Sequence, residues 1–476
     1  TIPLHKQVPM NAMNMNVRMA ECRLAYVKPG SKIEIQALYI YKVEKMAQRT
    51  GGSRMATDRK NRMRVLIVNT SERIGGAALA ANHLMDALNN NGVKATMLVR
   101  DKQTSDITVA TLPHSWRNRL RFLWERWCVF CHLHFSRTHL FEVDIANTGA
   151  DITALPEFKS ADIIHLSWIN QGMLSLNDIR KIVNSGKPVV WTMHDIWPAT
   201  AICHLTLGCN NFKQQCRRCK YLPGGGGDND LSAKVWNKKR RIYEKSDIHF
   251  VACSRWLADQ ARQSQLLRGR HVFAIPNPID TRVFAPKNKI ESAERMKLPT
   301  NKRLILFAAQ RATNANKGLA YLIEACNLLA AQYPDMKDNT ALVVLGGKAN
   351  QAVAELPFPT IPIDYVSDTA TLVSLYNAVH TFVLPSLSEN LPNTIMEAMA
   401  CGVPCVGFNV GGIPEEIDHK NNGYVARYRD AADLAQGIRW VLCAADYAEL
   451  SAQAVRKVLA NYSQQAVALQ YIEVYN

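Results

Sequence analysis

Short apolar runs recur along the chain, separated by segments whose apolar positions fall three and four apart. Runs at 64–69, 95–99, 162–166, 188–192, 248–252 and 271–275 have the length of strands. Between them, at 77–90, Leu79, Leu84 and Leu88 share one face of a predicted helix. Strands that alternate with helices imply parallel strands joined by crossovers. Pro276 and Pro278 interrupt the pattern, and a polar stretch follows to Arg303. The alternation restarts with runs at 303–309, 341–345, 361–365, 381–384 and 403–406. The expected class is therefore α/β, with one unit over 63–278, a second over 279–459 and a terminal helix over 460–476. Residues 1–62 are Met-rich, basic and aperiodic apart from a run at 33–43. They read as an upstream extension or poorly ordered leader, with a membrane-binding basic tail as the minority reading.

Length and composition fit this picture. A chain of 476 residues accommodates two large domains, and 47% hydrophobic with 20% charged residues excludes wholesale disorder. No apolar run approaches the roughly 18 residues of a membrane helix. The net charge of +17 favours acidic partners: phosphate-bearing substrates, anionic lipid or nucleic acid. About half of that excess lies in residues 1–62, which carry 12 Lys and Arg against four acidic residues. Twelve cysteines without an export-type N-terminus point to the cytoplasm and reduced thiols, so that a tight Cys cluster is first a metal candidate.

The richest stretch for chemistry runs from Pro385 to Pro404. An apolar strand leads into a turn holding Glu389, Asn390 and Leu391, and a helix is expected to open near Asn393. Open α/β sheets bind ligands at the carboxyl ends of their strands, and a helix start offers N–H donors to phosphate. Glu397, about one turn into the helix, has two acceptor oxygens suited to both hydroxyls of a ribose. The plain alternative is an acidic first helical turn favoured by the dipole. Glu389 and Glu397, with seven residues between them and Ala-Met-Ala-Cys-Gly-Val-Pro following, resemble the signature of the family 4 glycosyltransferases. The resemblance covers the chain from Met63 onward and looks closest to capsular and exopolysaccharide enzymes of the colanic-acid type. It implies a GT-B fold, in which two Rossmann-like domains face each other across a cleft. It also implies that Glu389 contacts the donor sugar and acts in catalysis, while Glu397 holds the nucleotide ribose.

Three further loops acquire roles from the same resemblance. Arg311 and Lys317-Gly318 follow the first strand of the second unit, and two cations there suit a departing diphosphate. Asn316 departs from the Arg of many relatives. Gly75-Gly76 follows the first strand of the chain; paired glycines allow close backbone approach, and relatives place this loop beside the donor phosphate and the acceptor. His194, in Thr-Met-His-Asp at a strand end, matches a family histidine thought to contact the donor sugar, with Asp195 a candidate to orient it or bind acceptor. Without that resemblance, a lone histidine is more often structural. Ser167 stands where relatives carry His.

The remaining features divide between chemistry and scaffold. Cys203, Cys209, Cys216 and Cys219, in an insertion at 198–230, have spacing compatible with a structural zinc, with reduced thiols or a disulfide as the alternatives. Asp228-Asn-Asp230 sits in a Gly-rich loop rather than after a strand, and is rejected as a metal motif. The segment 116–135 places Trp116, Leu120, Leu123, Trp127 and Phe130 on one helical face. A core helix is the favoured reading, and docking on an anionic membrane the alternative.

The expected activity is retaining, metal-independent transfer of a sugar from a GDP-, UDP- or ADP-linked donor to a glycan, with no cofactor required. The acceptor is expected to be lipid-linked, and the enzyme cytoplasmic with possible peripheral membrane contact. A nucleotide-sugar epimerase of similar build is the alternative. A nucleic-acid-binding role ranks last, because a carboxylate pair at the site repels a phosphate backbone.

Overall fold

The structure, a computed structural model, describes residues 63–352, 356–366 and 368–476. The reading of residues 1–62 lies outside them. Two parallel sheets organise the rest. The first comprises β1 (Arg64–Ser71), β2 (Lys94–Asp101), β3 (Val109–Thr111), β4 (Ile163–Leu166), β5 (Val189–Met193), β6 (Ile248–Ala252) and β7 (Val272–Ala274), in the order β3-β2-β1-β4-β5-β6-β7. The second comprises β8 (Arg303–Arg311), β9 (Thr340–Gly347), β10 (Thr360–Ile363), β11 (Thr381–Leu384), β12 (Cys405–Phe408) and β13 (Gly423–Ala426), in the order β10-β9-β8-β11-β12-β13.

The strands were legible as unbroken apolar runs because both sheet faces are covered. In β1, Leu66 and Val68 enter one core cluster while Val65 and Ile67 enter another on the opposite face. In β8, Leu304 and Leu306 are likewise separated from Ile305 and Phe307. Strand order reverses beside β1 and β4 in the first sheet, and beside β8 and β11 in the second. Crevices open at such reversals, beyond the carboxyl ends of the strands.

The helices used below are α1 (Gly76–Asn90), α2 (Ser115–His132), α3 (Arg255–Arg262), α4 (Leu319–Gln332), α5 (Thr369–Ala378), α6 (Asn393–Ala400), α7 (Tyr447–Asn461) and α8 (Gln464–Tyr475). α7 packs on α6 in the second lobe, whereas α8 returns to α1 in the first. There Val467, Ala468, Tyr471 and Tyr475 join the core beneath Val65 and Ile67. The Tyr475 hydroxyl hydrogen-bonds Nδ1 of buried His165 (2.6 Å), and the Tyr471 hydroxyl bonds Thr192 (2.9 Å). The two chain passages between lobes run side by side: the Ile279 N–H donates to the Tyr462 carbonyl (2.8 Å), and that of Gln464 to the Ile279 carbonyl (3.2 Å).

α2 overturns the expectation of a core helix. Its buried residues are Asn118, Glu125, Arg126 and Val129, whereas Trp116, Leu120, Leu123, Trp124 and Trp127 are each about half exposed or more. Several of the buried polar atoms find partners, which favours this orientation. Arg126 donates to the carbonyls of Leu140 (2.7 Å) and Val143 (3.1 Å), and Glu125 accepts from the Ala146 N–H (2.7 Å). Burial, reinforced by the nearby Asp144 charge, pushes Glu125 up to about 10, so its carboxyl is protonated at neutral pH.

Candidate active site

Both strand-order reversals open into one cavity of about 900 Å³ lined from the two lobes. From the second lobe come Lys317, Glu389, Asn390, Leu391, Asn393 and Glu397; from the first, Gly75, Gly76, His194 and Asp195.

The second-lobe wall is built by two loops pressed together. Gly318 has φ 74°, and a Cβ there would lie 1.8 Å from the Pro385 carbonyl oxygen, so only glycine lets the loop after β8 rest on the loop after β11. Asn316 locks the same contact: its side-chain amide donates to the Ser388 carbonyl (2.9 Å), and its main-chain carbonyl accepts from the Leu387 N–H (2.8 Å). The residue that departs from the family's Arg thus serves as a loop clasp. This packing brings the Lys317 ammonium onto Glu389 Oε1, which also accepts from the Ser386 hydroxyl (2.9 Å).

α6 begins after Pro392 with no side-chain cap, leaving first-turn N–H donors at the cavity wall. Glu397 is buried in α6 and accepts from the Tyr376 hydroxyl of α5 (2.8 Å). Burial raises its pKa to about 7, with the Tyr376 bond opposing the rise.

On the first lobe, β5 ends at Met193 and delivers His194. Its Nε2 hydrogen-bonds the Ser167 hydroxyl (2.9 Å), so the serine at the family's His position contacts the candidate catalytic imidazole. Burial depresses the His194 pKa to about 4, only partly offset by Asp195. The ring is therefore neutral at physiological pH. Gly75 holds φ 93° at the turn into α1, a conformation that suits glycine.

Asparagines join the walls. Asn390 donates to the His194 carbonyl (3.0 Å) and to Cys253 Sγ (2.8 Å), and accepts from Ser254 (2.6 Å). Asn393 accepts from Asn277 in the crossover (3.0 Å) and donates to the Gly76 carbonyl (3.4 Å). Below them, the Arg255 and Trp256 N–H groups at the start of α3 donate to the Glu415 carboxylate of the opposite lobe (2.8 and 2.6 Å).

Two expectations need correction. Arg311 does not join the cavity: it is the exposed last residue of β8, beyond a register shift, and Ala308, Ala309 and Gln310 line the wall instead. Asp195 does not orient His194, because its oxygens already accept from His204 (2.8 Å), Trp168 (3.0 Å) and the Trp197 N–H (2.8 Å). The four cysteines expected to hold a structural zinc lie near one another in the insertion. All four are free thiols, and among the described residues no group of three or more His, Cys, Asp or Glu is placed to hold a metal ion. Cys203 and Cys216 are packed into the first-lobe core, where burial raises both thiols above their ordinary value. The rejected Asp228 and Asp230 have structural partners: Asp228 pairs with Arg217 and Arg218, and Asp230 caps the helix Leu231–Tyr243.

Sequence reasoning missed Tyr376, Ser386, Arg73 and Arg429, all touching the cavity or its carboxylates. The Ser-x-x-Glu spacing could have revealed Ser386. Tyr376 lies on another helix, and no local pattern marks it.

Two Rossmann-like lobes facing each other across such a cavity define a GT-B fold. Two family models match consecutive parts of the chain: Glycosyltransferase Family 4 over residues 74–283, and Glycosyl transferases group 1 over residues 302–444. Both matched models describe glycosyl transferases. An uncharacterized glycosyltransferase of Haemophilus influenzae is 25% identical over 184 residues, covering 38% of this chain and 48% of that protein. A D-inositol 3-phosphate glycosyltransferase of Thermobispora bispora is 25% identical over 217 residues, covering 42% and 49%. The chain spans about half the length of the curated relatives it matches. Sucrose-phosphate synthase from Thermosynechococcus elongatus shares the fold, with TM-score 0.60, 18% identity and coverage of 87% and 98%. So does Anabaena HepE in complex with UDP, with TM-score 0.55, 15% identity and coverage of 87% and 99%.

Proposed function

We propose that the protein is a retaining glycosyltransferase that moves a sugar from a nucleotide-diphosphate donor to a glycan acceptor. The observation that carries this reading is the convergence of Glu389, Lys317, Glu397 and the uncapped start of α6 on one cavity, with His194 supplied from the opposite lobe. Glu397 suits the ribose, and Lys317 with the α6 N–H groups suits the diphosphate. Glu389 and His194 flank the space left for the sugar. HepE, which shares the fold, has been crystallised with UDP and with UDP-glucose and is the precedent for a nucleotide-sugar donor. Both matched family models describe glycosyl transferases, which is why the epimerase reading is set aside.

In this mechanism the bond between the anomeric carbon and the diphosphate oxygen breaks first. Its electron pair stays on the diphosphate, where Lys317 and the α6 dipole stabilise the charge, so no metal ion is assigned a role. The acceptor hydroxyl attacks the same face, and its proton passes to the departing phosphate oxygen. Glu389 and neutral His194 hold the sugar rather than exchange protons. Following the sequence resemblance, the acceptor is proposed to be a growing, lipid-linked polysaccharide, with the enzyme peripheral at the inner face of the cell membrane. Among the described residues no helix is long and apolar enough to cross a membrane.

Thermal shift with UDP, GDP, ADP and their sugars tests the donor assignment. At least one nucleotide is expected to raise the melting temperature, and Glu397→Gln to reduce the rise. A panel with no response from the wild type sinks the reading.

A further inference from the structure

α2 is turned the opposite way from an ordinary surface helix. Asn118, Glu125 and Arg126 face the core, whereas most of its large apolar residues face solvent. Trp116, Leu120, Leu123, Trp124 and Trp127 are 59, 54, 49, 58 and 53% exposed, and at their spacing they form one continuous stripe. The stripe continues past the end of the helix. Phe130 and Phe135 meet edge to face (centroids 5.6 Å apart) and lie tilted against Trp127, and Phe135 is 65% exposed. Scattered apolar residues on a surface need no explanation, but a contiguous aromatic stripe on one helix marks an interaction face.

The charges beside the stripe identify its partner. Arg117 and Arg119 are exposed on either flank, and the Arg117 guanidinium lies 5.1 Å from the Trp116 ring centre. The only acidic residue of α2, Glu125, is fully buried and neutral, so the outward face carries cations and no anion. Indoles at mid-depth, leucines between them and arginines at the rim match the layering of an anionic bilayer surface: acyl boundary, head-group region and phosphate. A protein partner would bury the stripe equally well, but nothing in that case calls for arginines along both edges.

We propose that α2 is the surface by which the protein docks on an anionic membrane, with its axis in the plane of the head groups. The buried side of the helix is bolted to the lobe that carries His194. Arg126 reaches Asp144 (3.1 Å), and the Asp144 carbonyl accepts from the Trp197 indole N–H (2.9 Å), three residues past His194. Docking therefore fixes the first lobe against the bilayer and leaves the second free to move. The surface stands on the exposure of α2 alone; its service to a lipid-linked acceptor rests on the function proposed above.

Flotation of the full chain with vesicles tests it. The wild type is expected to float with phosphatidylglycerol-containing vesicles and to remain below with pure phosphatidylcholine. Trp116→Ala/Trp124→Ala/Trp127→Ala should lower the floated fraction roughly tenfold or more. Arg117→Glu/Arg119→Glu should do the same and remove the salt sensitivity. Nucleotide-induced thermal shift, measured in parallel, should be unchanged in both variants, because these residues lie outside the cavity. No flotation of the wild type, or equal flotation of the tryptophan variant, overturns the proposal. A dimer in light scattering that the tryptophan variant converts to a monomer, without vesicle binding, overturns it in favour of a protein interface. No nucleotide response from the wild type, with its flotation intact, leaves docking standing and removes the glycosyltransferase reading instead.

Discussion

Glu397 is held near neutrality by burial, and that fixes how donor binding should depend on pH. A ribose diol is held best by an ionised carboxylate, and the free group titrates at about 7. Nucleotide-sugar affinity is therefore expected to rise about tenfold from pH 6 to pH 8, following the ionised fraction. A nucleotide sugar, whose diphosphate diester does not titrate there, is the appropriate probe for calorimetry, and Glu397→Gln should flatten the profile. His194 behaves differently. With its pKa near 4 the ring is neutral through the working range, so no step near pH 6.5 should belong to it. His194→Ala is expected to slow single-turnover transfer by about 10²-fold or more while changing donor affinity only a few-fold. An unchanged turnover removes it from the sugar-facing set. Lys317→Met deletes the one assigned cation and leaves Glu389 without its partner; weakened diphosphate binding is expected even for nucleotides lacking a sugar.

At the scale of elements, the sequence was most transparent where burial is two-sided. β1 and β8 were read directly, since a parallel strand between two cores is apolar at every position. β3 and β13 escaped notice, being three and four residues long, the latter opening on Gly423. α2 shows a deeper limit. Periodicity reveals that a helix has an apolar stripe, but not whether the stripe faces core or solvent. Here the outcome turned on Glu125 and Arg126 finding buried partners beyond the end of the helix. The same applies to the site. Glu389 and Glu397 were legible because one loop and one helix carry both, whereas Tyr376 and the Asn390 bridge are products of tertiary packing. Arg311 was misplaced because a cation at a strand end looks the same one residue further along. The grip of α3 on Glu415 is an element-scale device. Glu415→Ala removes an acceptor from two helix-start N–H groups and is expected to cost about 1 kcal/mol in urea denaturation.

At the scale of the molecule, α8 completes a lobe from which it is nearly 200 residues removed in sequence, counting from β7. Tyr475→Phe strands Nδ1 of buried His165, with an expected cost of about 1–3 kcal/mol in the same assay. His165 and His194 also set the acid limit of the fold. Both are held neutral, with pKa lowered from 6.5 to about 3 and about 4, so the unfolded chain binds more protons below 6.5. Stability should therefore fall as pH drops from about 6.5 toward 4, a trend that chemical denaturation at several pH values measures directly.

The paired crossovers have a mechanical corollary. Two strips of backbone fastened edge to edge at Ile279, Tyr462 and Gln464 flex easily about the line they share, but resist torsion, which would shear the amides that join them. The jaws are thus left essentially one coordinate, a swing. Fluorophores attached at unrelated points along the two rims should then report the same trajectory, separating and approaching in step however the pair is chosen.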